Sequence, residues 1–126
     1  MPNCIICLGS NDFEKREKLC FARKRLSELF PSVCFADECD TEPISLTNPN
    51  WFLNQLASFY TDKEIPEVIV ELKDIESKAG RTTADKALEI IKLDIDLLIY
   101  GDLVLKPEDM TRQYVIDGVR QLHNNK

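Results

Sequence analysis

The chain has a single histidine, His123, and no group of residues that completes a zinc site. Its five cysteines are Cys4, Cys7, Cys20, Cys34 and Cys39. Cys4-Ile-Ile-Cys7 has a chelating spacing, but no second cysteine pair or nearby histidine accompanies it. On a strand, residues three apart face opposite sides, so this pair reads as buried, reduced thiols. His123, beside the polar ending Asn124-Asn125-Lys126, reads as a surface residue. Excess positive charge is also missing. Sixteen Lys and Arg against 22 Asp and Glu leave a formal net charge of −6, which argues against nucleic-acid and anionic-membrane partners. No apolar run approaches the roughly 20 residues of a transmembrane helix. The start, Met1-Pro-Asn-Cys-Ile-Ile-Cys-Leu-Gly9, lacks the basic region of a signal peptide, so the expected compartment is cytoplasmic. There is no short-period repeat and no low-complexity segment. What remains is a globular composition, 44% hydrophobic and 30% charged over 126 residues, enough for one domain (1–126) with one core.

Hydrophobic periodicity orders the elements. Cys4 to Leu8 is a short apolar run ended by Gly9-Ser10-Asn11, the pattern of a buried first strand. Asn11 with Glu14 has capping-box spacing and opens a helix whose inward side carries Leu19, Ala22, Leu26 and Leu29, with Pro31 beyond its end. Val33 to Asp40 reads as a second strand, Thr41 to Asn50 as a proline-punctuated loop, and Trp51 to Tyr60 as a third strand. Ile65, Val68, Leu72, Ile75 and Ala79 form the stripe of a second helix that starts near Asp62 and stops at Gly80. Arg81 to Ile90 reads as a loop. A fourth strand precedes a turn at Gly101-Asp102, and Pro107 opens a last helix with Val115, Val119 and Leu122 inward and Gly118 weakening it. The order βαββαβα predicts an α+β, ferredoxin-like sandwich: a four-stranded antiparallel sheet with helices packed on one face. Such a fold hosts many activities and decides none of them.

The fourth strand carries the most informative pattern. Leu93 to Tyr100 is apolar except where Asp94 and Asp96 interrupt it. In an extended chain these two share one face, while Leu93, Ile95, Leu97 and Ile99 take the other. Two carboxylates within about 7 Å repel each other, and a cation between them removes that cost. Hard oxygen donors of this kind suit Mg²⁺ and a phosphate ligand. A solvated acidic pair on an exposed strand face has the same pattern.

The ordered motifs resemble those of the 6-hydroxymethyl-7,8-dihydropterin pyrophosphokinase family of folate biosynthesis. The matching stretches are Leu8-Gly-Ser-Asn11, Thr41-Glu-Pro-Ile44, Phe52-Leu-Asn54, Ile75-Glu76 with Gly80-Arg81, and Leu93-Asp-Ile-Asp-Leu97 with Tyr100-Gly101. The resemblance spans most of the chain and implies transfer of pyrophosphate from ATP to a pterin alcohol. ATP and a pterin would be the ligands, with two Mg²⁺ ions bound through Asp94 and Asp96. The implied catalytic set is Asp94, Asp96, Arg81 and Lys92. Glu76, Arg81 and Lys92 would serve the nucleotide. Thr41, Pro43, Ile44, Phe52 and Asn54 would serve the pterin, with Phe52 stacking on the ring and Asn54 reading its edge.

The departures from the family pattern are as specific as the matches. Leu88 and Ile90-Ile91-Lys92 stand where the family has a tryptophan and a Pro-Arg-Thr segment. Lys92 keeps a charge there, but an ammonium cannot reproduce a bidentate guanidinium contact. Gln113-Tyr114 stands at a Pro-His pair, leaving Arg112 or Arg120 as the arginine beyond it. Thr83 and Ala84 replace loop cations, and little chain follows the third helix where the family completes its pterin side. The expectation is slow, altered or absent chemistry, with metal and nucleotide binding outlasting turnover. The alternatives are a non-catalytic pterin- or nucleotide-binding paralogue that acts through a protein partner, and a small interaction domain.

Overall fold

Strand β1 (Asn3–Ser10) buries side chains on both of its faces, which requires packed layers above and below it. The computed structural model describes residues 1–43, 49–80, 85 and 87–124. In it β1 lies between β4 (Phe52–Tyr60) and β5 (Asp94–Tyr100), antiparallel to both. β2 (Cys34–Phe35) and β3 (Cys39–Thr41) pair with successive parts of the outer edge of β4, and β6 (Leu103–Val104) forms a hairpin with β5. The result is a mixed α+β fold with an antiparallel sheet in the order β2-β4-β1-β5-β6, and β3 also on β4. Helices α1 (Lys15–Leu29), α2 (Ile65–Lys78) and α3 (Gln113–Asn124) pack against it.

Two cores result, one on each face of the sheet. On one, Leu19, Ala22 and Leu26 of α1 and Val68, Leu72 and Ile75 of α2 pack over Ile6, Leu8, Phe59 and Ile95. Each of the leucine, isoleucine, valine and phenylalanine side chains taken from water contributes about 1.5–3 kcal/mol. The rings of Phe30 and Phe59 stack there with centroids 3.9 Å apart. On the other face, Val115 and Leu122 of α3 pack against Ile5, Leu56 and Leu98. Helices therefore cover both faces, and the one-faced sandwich read from the sequence is corrected. α3 approaches very closely. A Cβ at Gly118 would lie 2.6 Å from Leu56 Cγ, so this glycine sets the helix–sheet distance rather than merely weakening the helix.

Among the described residues the sheet has six strands, where the sequence predicts four. Val33 to Asp40 is not continuous, because side chains capture the backbone between β2 and β3. Gln55 Nε2 donates to the Ala36 carbonyl at 2.7 Å, and the Asp37 N–H donates to Gln121 Oε1 of α3. Other local readings also shift. Glu14, not Asn11, holds the N-cap position of α1, and α3 begins at Gln113 after a 3₁₀ turn at Asp109–Thr111 rather than at Pro107. β5 carries a register irregularity opposite Ile5 and Ile6, so Leu98 and Ile99 both join the α3-side core, and Ile99 leaves the face expected for it. Gly80 does end α2, with φ +92°, a conformation glycine adopts without strain.

All five cysteines are free. Cys4 joins the core under α1 and α2, Cys7 packs toward the opposite core, and Cys20, Cys34 and Cys39 are exposed. Burial pushes the Cys4 thiol up to about 11. Among the described residues, no helix is long and apolar enough to cross a membrane.

Candidate active site

Strand register builds the site. Gly9 of β1 pairs with Asn54 on one side and Asp94 on the other, and Cys7 pairs with Leu56 and Asp96 in the next row. These rows share the face that α3 covers only in part. With strands about 4.8 Å apart, the backbones of Asn54 and Asp94 stand about 10 Å apart across Gly9. The floor between them bears no side chain. A cleft of about 690 Å³ opens over it, walled by Thr41, Glu42 and Phe52 on one side and Asp109, Arg112, Gln113 and Tyr114 on the other. That volume is in the range of small-molecule sites.

Asn54 is held in a fixed orientation. Its Nδ2 donates to Thr41 Oγ1 at 2.6 Å, and its Oδ1 is turned toward Gly9, where a Cβ would lie only 2.8 Å away. An amide has two N–H donors and an acceptor oxygen, so hydrogen-bonding capacity remains after the Thr41 contact.

The opposite end is acidic. Burial pushes the Asp96 carboxyl up to about 6, and the hydrogen bond and charge of Asp94 add to the rise, while Lys106 and Lys73 oppose it. Such a pair retains a proton into mildly acidic conditions and favours a cation above them. No group of three or more His, Cys, Asp or Glu among the described residues could hold a metal by itself. Two carboxylates nevertheless fit Mg²⁺, which takes one or two protein carboxylates and completes its shell with water and substrate phosphates. Beside the pair, burial and the charge of Asp96 push the Cys7 thiol up to about 12, although a hydrogen bond with Tyr114 opposes them. Burial likewise raises the Tyr114 hydroxyl. Both groups are neutral at ordinary pH, so Cys7 is neither a thiolate nucleophile nor a ready metal ligand.

Asp94, Asp96, Asn54, Phe52 and Thr41 thus come together around one cleft, as do Arg112, Gln113 and Tyr114. Arg112 Nε lies 3.5 Å from Asp109 Oδ1 within it, whereas Arg120 is exposed and lines no part of it. Pro43 is half-buried and does not line the cleft. Ile44, Arg81, Thr83, Ala84 and Lys86 lie outside the described residues. Lys92 does not line the cleft either; its Nζ lies 3.6 Å from Asp85 Oδ2. Glu76 is buried under the other face, where it accepts the Ile95 N–H at 2.7 Å and pairs with Lys73 at 3.1 Å.

Several contributors escape a reading of the sequence. Cys7 and Gly9 share the aspartates' face only because β1 lies beside β5, and strand adjacency is not written in either segment. Asn11, at the end of a recognisable motif, is fully buried. Its Nδ2 donates to the Glu89 carbonyl at 2.9 Å and its Oδ1 accepts the Ile91 N–H at 2.6 Å. It therefore anchors the approach to β5, with Ser10 Oγ adding a bond to the Ile91 carbonyl at 3.3 Å.

The model of the 7,8-dihydro-6-hydroxymethylpterin-pyrophosphokinase family matches residues 5–124. A curated relative, the 2-amino-4-hydroxy-6-hydroxymethyldihydropteridine pyrophosphokinase of Haemophilus influenzae, is 28% identical over 113 residues, or 88% of this chain and 70% of the relative.

Proposed function

Because the chain belongs to the 7,8-dihydro-6-hydroxymethylpterin-pyrophosphokinase family, we propose that its cleft binds ATP and 6-hydroxymethyl-7,8-dihydropterin and carries Mg²⁺-dependent pyrophosphoryl transfer between them, a step of folate biosynthesis. One observation carries this reading: an oriented amide and a carboxylate pair face each other across the bare backbone of Gly9. A flat heterocycle at the Asn54 end and a triphosphate at the Asp94–Asp96 end would meet over that floor.

In this reading Asn54, oriented by Thr41, hydrogen-bonds the pterin edge, and Phe52 offers its ring for stacking. Asp94 and Asp96 would hold the magnesium, which would supply positive charge against the phosphates. The pterin hydroxyl oxygen attacks the β-phosphorus and gives up its proton. The bond from that phosphorus to the α-phosphate oxygen breaks, and AMP leaves with the electron pair. Among the described residues Arg112 is the guanidinium that lines the cleft, and it can reach a phosphate by exchanging its partner Asp109 for it. The proton that burial keeps on Asp96 must leave before a metal could enter, so binding favours pH above about 6.

Turnover should be slow. Lys92 is turned to Asp85, and a missing phosphate donor typically costs about 2.7–4 kcal/mol of transition-state stabilisation. The same ion pair favours a second reading, a paralogue that binds nucleotide and pterin without transfer and works through a protein partner. Purified protein with Mg²⁺, ATP and the pterin should release AMP and pterin diphosphate, and Asp94→Ala with Asp96→Ala should abolish it. Folded protein that binds both ligands yet yields no AMP above a protein-free control would establish the second reading. Binding of neither ligand would refute both.

A further inference from the structure

α2 packs an apolar stripe of Val68, Leu72 and Ile75 onto the sheet, and the next residue, Glu76, is buried with it. A carboxylate in such a place needs partners, and this one has two. Oε2 accepts the Ile95 N–H at 2.7 Å, and Lys73 Nζ lies 3.1 Å away at the solvent side. Ile95 stands between Asp94 and Asp96, with its side chain in the core and theirs in the cleft.

Backbone pairing explains why a side chain is needed here. β5 is bonded along one edge to β1, but its other edge is paired only near its end. β6 meets it at Ile99 and Tyr100, and the Leu105 and Lys106 N–H groups reach the Leu98 carbonyl. At Ile95, among the described residues, no strand lies on the outer side. An open N–H there would leave this half of the strand free to shift or fray, while mutual repulsion pushes the two aspartates apart. Glu76 supplies the acceptor that a neighbouring strand would have supplied.

We propose that Glu76 is a positioning residue: its carboxylate closes the open edge of β5 at Ile95 and thereby holds Asp94 and Asp96 at the spacing a divalent cation requires. The role is exerted through the strand, from the face opposite the cleft, without contact to ligand. It rests on the reading of the cleft as a magnesium-nucleotide site.

Glu76→Gln keeps an acceptor oxygen of the same reach, whereas Glu76→Leu fills the space without one. Two readouts separate the outcomes. The first is hydrogen exchange of the Ile95 amide in ligand-free protein. The second is affinity for Mn²⁺ with a non-hydrolysable ATP analogue. Glu76→Leu should lose Ile95 protection and weaken Mn²⁺ binding about 10–100-fold, as losses of supporting partners at metal sites do. Glu76→Gln should restore both to near wild-type values. The proposal is overturned if folded Glu76→Leu retains Ile95 protection, if it binds Mn²⁺ as wild type does, or if Glu76→Gln is equally damaged. Wild-type protein that binds no Mn²⁺ would refute the magnesium-nucleotide reading, and with it the metal-spacing role. The exchange readout would then still decide whether Glu76 closes the strand edge.

Discussion

Replacing Asp94 by Asn should make the metal-free protein more stable. Asp96 titrates at about 6 in the fold, against 3.8 for a free carboxyl, so the folded chain holds that proton more tightly than the unfolded one. The sign follows directly: stability from this group is present below about 4 and is lost as pH rises to about 6. Unscreened, the shift corresponds to roughly 3 kcal/mol. Burial is the largest single cause, followed by the hydrogen bond with Asp94 and then its charge, and Asp94→Asn relieves only the charge, so a minor part of the shift is at stake. Water at the cleft mouth screens that share further, which leaves a gain of about 1 kcal/mol at neutral pH. For a chain of this size the gain is a rise of roughly 3–5 °C in Tm. Urea unfolding with EDTA, near pH 7.5 and near pH 4, measures it. The gain should be present at the higher pH and absent at the lower. A variant less stable than wild type near pH 7.5, or an equal gain at both, would show that Asp94 does not repel Asp96 in the fold.

Further outcomes follow from the same coordinates. Metal entry displaces the proton of Asp96, so Mg²⁺-nucleotide affinity should fall about tenfold per pH unit between about 6 and 4, as calorimetry across that range would show. Gly9→Ala puts a Cβ 2.8 Å from Asn54 Oδ1; it should cost about 1–3 kcal/mol of stability and weaken pterin binding more than about tenfold, read by urea melts and fluorescence titration. Asn11→Ala breaks both side-chain bonds to residues 89–91 and leaves buried groups unpaired, so a loss of about 2–3 kcal/mol is expected in the same melts.

Legibility from the sequence was uneven, for physical reasons. The stripe Val68, Leu72, Ile75 and Ala79 with its terminal glycine is local information, and the structure has that helix in place. The alternation that puts Asp94 and Asp96 on one face is equally local, and both line the cleft. What failed depends on residues distant in sequence. Asn11 has the spacing of a helix cap, yet its partners lie 78 and 80 residues away, and those bonds prevail. The Val33–Asp40 run has strand-forming residues, but Gln55 and Gln121 take its backbone and divide it. Gly118 looks like a helix weakness until Leu56 is seen against it. Lys92 keeps the charge of a missing guanidinium, and its Nζ lies 3.6 Å from Asp85 Oδ2, a pairing that its place in the sequence does not announce. Glu76 is the instructive case: a charge on an apolar helix face, it makes sense only once it is known that, among the described residues, no strand flanks β5 at Ile95.

The central claim, that Asp94 and Asp96 face Asn54 across Gly9 to hold a magnesium-bound nucleotide, is tested most directly by calorimetric titration of a non-hydrolysable ATP analogue with and without Mg²⁺. Binding should require Mg²⁺, disappear in the Asp94→Ala/Asp96→Ala protein, and survive Asn54→Ala. Binding that is indifferent to the metal, or unchanged without the two aspartates, would contradict it.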